Sequence, residues 1–366
     1  MNLHLVGGFL GSGKTTAIIA AAHLLVASGK KVGIITNDQG KFLVDTAFIK
    51  SQQLPTTEVN GGCFCCKFDD FTAHIDQLTA SVKPDVIFAE SVGSCADLVA
   101  TVIKPLLQFR PKKDTISSFS VVTDSRLLEL ALLHNELPFS HEVTYIFNQQ
   151  IEEASLLVIN KSDLLSPERR KMVEKLAQEK YPQKQVILQN SQNTAQVKKW
   201  LACLESGEAG LPEKSLDLDY QRYATGESML AWLDAIVEFT ISKQPNFQVI
   251  INILKEITAS VQKTVRSIGH LKFAIRGQNG VTVKLSFTTL EDQTSFIHMA
   301  NERLDKIQGP AIQLVINIRV EGNAGELKTQ IHETIEKEIS RGDGNITLMK
   351  ISSFYPKTPV PTHHLK

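Results

Sequence analysis

Residues 8–15 have a glycine spacing that suits phosphate binding. They read GFLGSGKT, a complete G-x-x-x-x-G-K-[ST] pattern between a short apolar run and a helical segment. In such a loop the glycines let backbone N–H groups face the phosphates, and the start of the next helix adds partial positive charge. We expect Lys14 to contact the β- and γ-phosphates and the Thr15 hydroxyl to bind Mg²⁺. Further nucleotide contacts are predicted from Gly8, Gly11, Ser12, Gly13 and Thr16.

A second motif, Asn160-Lys161-Ser162-Asp163, directly follows the apolar run 155–159. An aspartate in such a turn can accept hydrogen bonds from N1–H and the 2-amino group of guanine. Adenine has neither donor and would leave the carboxylate unpaired, so the motif favours GTP or GDP over adenine nucleotides. We expect Asn160 to brace the neighbouring loops and Lys161 to lie along the base. Residues 189–191 are a candidate for completing the guanine site.

Glu90 ends the apolar run 85–89, the pattern of a strand that carries an acid to a phosphate site. Its carboxylate can hold the Mg²⁺ shell together with Thr15 and Asp38, or orient the attacking water. Gly93 can offer its N–H to the γ-phosphate. Lys14 and Glu90 are therefore the predicted catalytic residues, and the alternative for Glu90 is a cap on the following helix.

Three of the five cysteines lie within the segment Cys63-Phe64-Cys65-Cys66, directly after two glycines. Clustered thiols in a large chain favour a site for a soft or borderline divalent cation, with Zn²⁺ first and Co²⁺ or Ni²⁺ as alternatives. A turn must bring the three thiols together, because side chains alternate along an extended strand. Asp38 is the predicted fourth ligand. Buried packing residues or a redox pair remain the other interpretations.

The elements that must position these motifs alternate between strand and helix over residues 1–205. The apolar runs are nearly continuous, as in strands that are buried on both faces of a parallel sheet. Such alternation predicts an α/β fold with a doubly wound, mostly parallel sheet. The predicted strands are 3–6, 31–36, 85–89, 118–123, 155–159 and 185–188, and the predicted helices include 14–28, 95–107, 125–133 and 167–180.

The pattern changes after residues 206–219, which are rich in Gly, Glu, Ser and Pro and are predicted to be a linker. Residues 220–355 are predicted to form a smaller α+β domain, and residues 356–366 a solvated tail that carries the pair His363-His364. Within this domain we predict helices near 227–239, 247–260, 290–305 and 324–340, and strands at 270–275, 281–287 and 313–320.

The overall composition excludes several classes of protein. Lysine plus arginine and aspartate plus glutamate each number 39, so no net charge points to nucleic acid or to an anionic membrane. The N-terminus has no secretory signal pattern, and no apolar run reaches the roughly 18 residues that a membrane span needs. We therefore expect a soluble, cytoplasmic protein.

Taken together, these motifs resemble the CobW-like branch of the P-loop GTPases, which includes metallochaperones and metal-insertion proteins. The matching segments are residues 7–16, Asn37-Asp38-Gln39-Gly40, residues 61–66, residues 90–93 and residues 160–163. The resemblance covers about residues 1–205 and implies that GTP hydrolysis is coupled to metal transfer. It also implies that Cys63, Cys65 and Cys66 bind the metal and that the segment around Asp38 senses the γ-phosphate.

The leading hypothesis is a GTPase that transfers a divalent transition metal to a client metalloprotein, which it recognises through the C-terminal domain. The alternative is a GTPase that activates a client, such as a corrinoid enzyme, and whose cysteine site is structural. A small-molecule kinase is disfavoured by the guanine motif. The sequence leaves open whether the chain forms a homodimer.

Overall fold

The computed structural model describes residues 1–110, 115–208, 210–241 and 247–366, which form two compact units. The first unit comprises Met1–Gln39, Gln53–Gly226 and Thr358–Lys366, and the second comprises Gly40–Gln52 and Glu227–Lys357. The predicted linker at 206–219 therefore lies within the first unit. The chain enters the second unit twice, first for a short excursion and later for the larger part.

A seven-stranded parallel sheet forms the centre of the first unit, in the order β3-β2-β4-β1-β5-β6-β7. The fold class predicted from the sequence is confirmed, because strands such as β4 and β6 are buried along their whole length. Strand β3 was not predicted, since it is polar and only Val59 in it is buried. The strands are β1 (Asn2–Gly7), β2 (Val32–Asp38), β3 (Thr56–Asn60), β4 (Val86–Glu90), β5 (Thr115–Asp124), β6 (Leu156–Asn160) and β7 (Gln185–Leu188).

Helices connect these strands, and one short helix belongs to the second unit. A single π-helical turn, Val99–Ile103, leads directly into α4. The helices up to the start of the larger part of the second unit are α1 (Lys14–Ala27), α2 (Val44–Ser51), α3 (Phe68–Ser81), α4 (Lys104–Phe109), α5 (Ser125–Leu132), α6 (His141–Glu153), α7 (Pro167–Lys180), α8 (Thr194–Ser206) and α9 (Tyr220–Ser228). Of these, α2 lies in the second unit.

An antiparallel sheet of five strands forms the second unit, in the order β10-β9-β11-β8-β12. The helix predicted near 227–239 is wrong. This segment is strand β8, which is almost wholly buried and is paired on both sides. The elements are β8 (Leu230–Ile241), α10 (Phe247–Thr264), β9 (Ser267–Gly277), β10 (Thr282–Phe287), α11 (Gln293–Leu304), β11 (Ala311–Glu321), α12 (Ala324–Arg341) and β12 (Gly344–Phe354).

The two faces of this sheet are covered differently. One face packs against α10, α11 and α12 and forms the main apolar core of the unit. The other face holds the excursion Gly40–Gln52, whose Val44 packs against Ala274 and Val315. The backbone N–H of Lys41 also donates to Asp234 (2.9 Å). The excursion is thus built into the second unit by both apolar and polar contacts.

Residues Thr358–Lys366 belong to the first unit and pack against the rest of it. Alternate residues of this predicted tail, such as Thr362 and His364, are exposed, but the His363 ring lies 5.0 Å from the Phe68 ring and 4.7 Å from the Phe109 ring, measured between centroids. The N–H of Leu365 donates to the carbonyl of Ala100 at 2.9 Å. Over the described ranges, no helix has both the length and the apolar character that a membrane crossing requires.

Candidate nucleotide and metal site

The phosphate loop between β1 and α1 has a backbone that requires glycine at two places. Gly8 (φ +129°) and Gly13 (φ +94°) adopt conformations that L side chains rarely take. A Cβ at Gly8 would lie 2.0 Å from the carbonyl oxygen of Val122, and one at Gly13 would lie 2.4 Å from Nδ2 of Asn160. Any side chain at Gly8 or Gly13 would therefore clash with the surrounding structure, in addition to the requirement that the predicted ligand places on these positions.

The Lys14 ammonium lies inside this loop and is buried. Its Nζ donates to the carbonyl oxygens of Gly8 (2.6 Å) and Phe9 (3.2 Å). The buried hydroxyl of Ser12 has no hydrogen-bond partner within the described chain. The Lys14 ammonium and the Ser12 hydroxyl are hydrogen-bond donors within a glycine-rich loop, and such donors suit a polyphosphate ligand.

Thr15 and Glu90 meet where β1 and β4 run side by side. The Thr15 hydroxyl donates to Oε1 of Glu90 at 2.9 Å, and both side chains are buried. A hydroxyl and a carboxylate at this position are ligands that suit Mg²⁺. A Cβ on Gly93 would lie 3.2 Å from Cα of Leu10, so Gly93 also borders the phosphate loop. Thr16 is exposed on α1.

Asn160, the last residue of β6, holds the phosphate loop and the guanine loops together. Its Nδ2 donates to the carbonyl oxygen of Ser12 (2.8 Å), and its Oδ1 accepts from the hydroxyl of Ser191 (2.8 Å). The N–H of Ser162 donates to the carbonyl oxygen of Gln189 (3.1 Å). The structure therefore brings residues 160–163 and 189–191 next to each other and next to the phosphate loop.

Lys161 and Asp163 differ in exposure at this end of the site. Asp163 is exposed, in a single 3₁₀ turn, whereas Lys161 Nζ lies 3.1 Å from Oδ2 of Asp124. Burial alone would raise the pKa of Asp124, but the charge of Lys161 and the bonds from Arg126 outweigh it and lower the pKa. Asp124 thus stays ionised and fixes Lys161.

The cysteine loop lies between β3 and α3 and brings three thiols together. The Sγ atoms of Cys63 and Cys65 are 2.7 Å apart, those of Cys63 and Cys66 3.1 Å, and those of Cys65 and Cys66 3.8 Å. The turn that this convergence needs is present, since the N–H of Cys66 donates to the carbonyl oxygen of Cys63. Three converging soft donors fit a borderline cation such as Zn²⁺.

Two residues at this site had no assigned role in the sequence interpretation. Nδ2 of Asn37 donates to the carbonyl oxygens of Val59 and Gly62, and its Oδ1 accepts from the N–H of Phe64. The thiol of Cys95, in the loop after β4, hydrogen bonds with those of Cys63 and Cys65. The Asn37-Asp38-x-Gly40 motif was a sequence signal from which the role of Asn37 could have been predicted. The role of Cys95 becomes visible only in the folded structure.

The thiols differ in protonation because they share hydrogen bonds. Bonds from Cys65, Cys66 and Cys95 lower the pKa of Cys63 well below its ordinary value. The bond to Cys63 raises the pKa of Cys65, and it raises that of Cys66 to about 11. The shared hydrogen bonds therefore favour ionisation of Cys63 over that of Cys65 and Cys66.

The predicted fourth ligand, Asp38, is the last residue of β2, opposite Asn60 of β3. The potential ligand atoms that lie within 4.8 Å of one another are the three thiols, and within the described ranges no carboxylate joins them. Asp38 as a metal or Mg²⁺ ligand stays a prediction.

The amino-acid sequence of this chain is similar to those of several known proteins. The zinc chaperone YeiR of Escherichia coli (strain K12) is 30% identical over 193 residues, which cover 50% of this chain and 53% of that protein. The zinc-regulated GTPase metalloprotein activator 1 of Dictyostelium discoideum is 25% identical over 218 residues, or 50% of this chain and 44% of that protein. The match thus spans about half the length of these relatives.

A solved structure of HypB from Helicobacter pylori in complex with nickel is similar over 58% of this chain and 91% of that one, with 15% identity and a TM-score of 0.42. Residues 2–188 match the model for the CobW/HypB/UreG nucleotide-binding domain. This match covers just over half of the chain and confirms the resemblance drawn from the motifs. The chain therefore belongs to the CobW/HypB/UreG family.

Proposed function

We propose that this protein binds and hydrolyses GTP and uses the hydrolysis cycle to deliver a divalent transition metal, most readily Zn²⁺, to a client metalloprotein. The observation that carries the proposal is the bracing of the cysteine loop by Asn37, the residue directly before Asp38. A change at Asp38 on γ-phosphate loss is transmitted through Asn37 to the thiols. Coupling of this kind between two ligands amounts to about 1–3 kcal/mol in typical cases.

The residues of the nucleotide site have distinct roles in this proposal. Lys14 exchanges its bonds with the loop carbonyls for the β- and γ-phosphates, and Asp163 reads the guanine edge. Thr15, Glu90 and Asp38 would hold Mg²⁺, which would neutralise charge on the phosphates. Glu90 orients the attacking water.

The proposed metal agrees with the names of both relatives, which refer to zinc, and with the thiol donor set of this chain. The client is proposed to bind the larger part of the second unit, Glu227–Lys357, because the family match ends at residue 188 and does not include it.

A second candidate function is supported by the burial of Cys63 and Cys65, which are 3% and 2% exposed. Buried thiolates suit a structural metal that is never released. The protein would then be a GTPase that activates a client without donating metal.

The two candidates are separated by measuring the release of Zn²⁺ to a chelating dye from the loaded protein, kept anaerobic. We expect release to be faster with GTP than with GDP or a non-hydrolysable analogue. Glu90→Gln should still bind GTP, hydrolyse it about 10²-fold more slowly and lose the effect. Lys14→Ala should not bind the triphosphate productively. Release at one rate with every nucleotide would support the structural site instead.

A further inference from the structure

Cys95 is a buried thiol that the three-cysteine motif does not include. It lies in the segment between β4 and the π-helical turn and is 1% exposed. Its N–H donates to the carbonyl oxygen of Val92 (3.0 Å), and its own carbonyl oxygen accepts from Nε2 of Gln150 (2.8 Å). The backbone of Cys95 is therefore held in place from both sides.

The sulfur of Cys95 belongs to the same cluster as those of the cysteine loop. The sulfur of Cys66 lies 3.1 Å from that of Cys63 and 3.8 Å from that of Cys65, and the thiol of Cys95 hydrogen bonds with the same two residues. Since a Zn–S bond is about 2.3 Å long, sulfurs at the corners of a tetrahedral site lie about 3.8 Å apart, close to a thiol–thiol contact. The separation between Cys65 and Cys66, 3.8 Å, already has this value, whereas Cys63 lies closer to Cys65 (2.7 Å) and to Cys66 (3.1 Å) and would move outward by about 1 Å on metal binding.

A structural or transfer site for Zn²⁺ with three thiolates needs one more ligand. Neither Asp38 nor Cys95 belongs to the group of ligand atoms that all lie within 4.8 Å of one another, but the thiol of Cys95 hydrogen bonds with two members of that group, Cys63 and Cys65. We propose that Cys95 is the fourth ligand and that the metal site is a closed set of four thiolates, Cys63, Cys65, Cys66 and Cys95. This inference rests on the metal binding in the proposed function and specifies its ligand set.

The position of Cys95 gives this ligand a consequence for the nucleotide site. Nε2 of Gln150 donates to the carbonyl oxygens of both Gly93 (3.1 Å) and Cys95 (2.8 Å), so the two residues are fixed as one segment. Gly93 borders the phosphate loop at Leu10. A metal on Cys95 and the cysteine loop thus joins the segment next to the phosphates to the loop that Asn37 braces.

X-ray absorption of the Zn²⁺-loaded, full-length protein tests the ligand set without any substitution. Four sulfurs at about 2.3 Å are expected. Three sulfurs with one oxygen or nitrogen would overturn the role of Cys95. An ion with fewer than three sulfur ligands, or no tightly bound ion, would instead overturn the metal site of the proposed function.

The Co²⁺-substituted protein tests the assignment of the fourth sulfur. In Cys95→Ser we expect the thiolate-to-Co²⁺ charge-transfer band to lose about a quarter of its intensity and the affinity for Zn²⁺ to fall at least tenfold. Cys203→Ser, which changes the cysteine in α8, is the matched control and should leave both the charge-transfer intensity and the Zn²⁺ affinity unchanged. Asp38→Asn should likewise leave the charge-transfer intensity unchanged. The proposal would be contradicted if Cys95→Ser, with a wild-type circular dichroism spectrum, kept the wild-type Co²⁺ charge-transfer band and the wild-type affinity for Zn²⁺.

Discussion

Asn37 and Asn160 each join loops through a single carboxamide group. Asn160 links the phosphate loop to the segment after β7, and Asn37 links β2 to the cysteine loop. A carboxamide can both donate and accept, whereas a carboxylate can only accept and an alanine can do neither. These two residues therefore fix the geometry in which the motif residues act.

The exposed carboxylate of Asp163 should determine the choice of base. Guanine nucleotides are expected to bind at least tenfold more tightly than adenine nucleotides, because only guanine supplies two donors to Asp163. Asp163→Ala should remove this preference. Displacement of a fluorescent nucleotide by GDP and by ADP measures it, with Glu179→Ala, an exposed acid on α7, as the control. Equal affinity of the wild type for GDP and ADP would contradict the role of Asp163.

Residues in short motifs were predictable because their chemistry depends on local spacing. The phosphate loop, the Asn160–Asp163 turn and the three clustered thiols are all of this kind. Cys95 could not be predicted, since it approaches Cys63 only when the cysteine loop and the segment after β4 are brought together in the folded chain. A single cysteine in a sequence carries no such information.

At the scale of elements, β8 shows where local propensity fails. Its sequence, LAWLDAIVEFTI, has no strict alternation and contains good helix formers such as Leu, Ala and Glu. It is a strand because β11 and β12 pair with it on both sides and both of its faces are covered. Tertiary pairing here overrides a weak local preference.

The first residue of the π-helical turn Val99–Ile103 is hydrogen bonded to a buried acid, Glu153. Oε1 of Glu153 accepts from the N–H of Val99 at 2.5 Å. Burial raises the pKa of Glu153 to about 8, against the partly opposing bond from Val99. The folded protein therefore keeps a proton here that the unfolded chain loses near its ordinary pKa of about 4.3.

This proton predicts a pH dependence with a definite sign. The contribution of Glu153 to stability is complete below the unfolded pKa and is lost as the pH rises through the folded pKa of about 8. Unfolding in urea between pH 5.5 and 7.5 should therefore show a loss of up to about 1.4 kcal/mol per pH unit that Glu153→Gln removes. Glu152→Gln, which changes the exposed neighbour, should retain the loss. If the free energy of unfolding changed with pH in the same way in the wild type and in Glu153→Gln, a protonated Glu153 in the folded protein would be contradicted.

At the scale of the whole molecule, the parallel sheet was predictable and two long-range features were not. Short, nearly continuous apolar runs that alternate with helical segments indicate the strands of a parallel sheet. The tail packs against the rest of the first unit, and the N–H of Thr362 donates to the carbonyl oxygen of Cys65 (2.8 Å). The excursion Gly40–Gln52 likewise pairs with residues of the second unit that lie far along the chain. Neither partner can be read from local pattern.

The excursion is held by ion pairs that can be tested directly. Asp45 lies 2.5 Å from both Lys272 and Lys284, and these side chains are at most 16% exposed. Asp45→Asn leaves two nearly buried ammonium groups without their acid, so we expect a loss of about 3 kcal/mol in the stability of the second unit. Amide exchange across residues 40–52 should become faster. Asp305→Asn, an exposed acid beyond α11, should have little effect, and unchanged exchange in Asp45→Asn would contradict this anchor.

The way in which Gly40 meets Asp234 restricts how this protein can exchange parts with its relatives. A Cβ at position 40 would lie 2.1 Å from Oδ2 of Asp234, and Asn317 contacts both Asp234 and the carbonyl oxygen of Phe42. A chimera that replaces only residues 227–357 would therefore separate the excursion from the surface that fits it. Recombination, whether natural or in the laboratory, must carry residues 40–52 together with the antiparallel sheet. The two segments should accordingly be inherited as one module, although more than 170 residues of the chain lie between them.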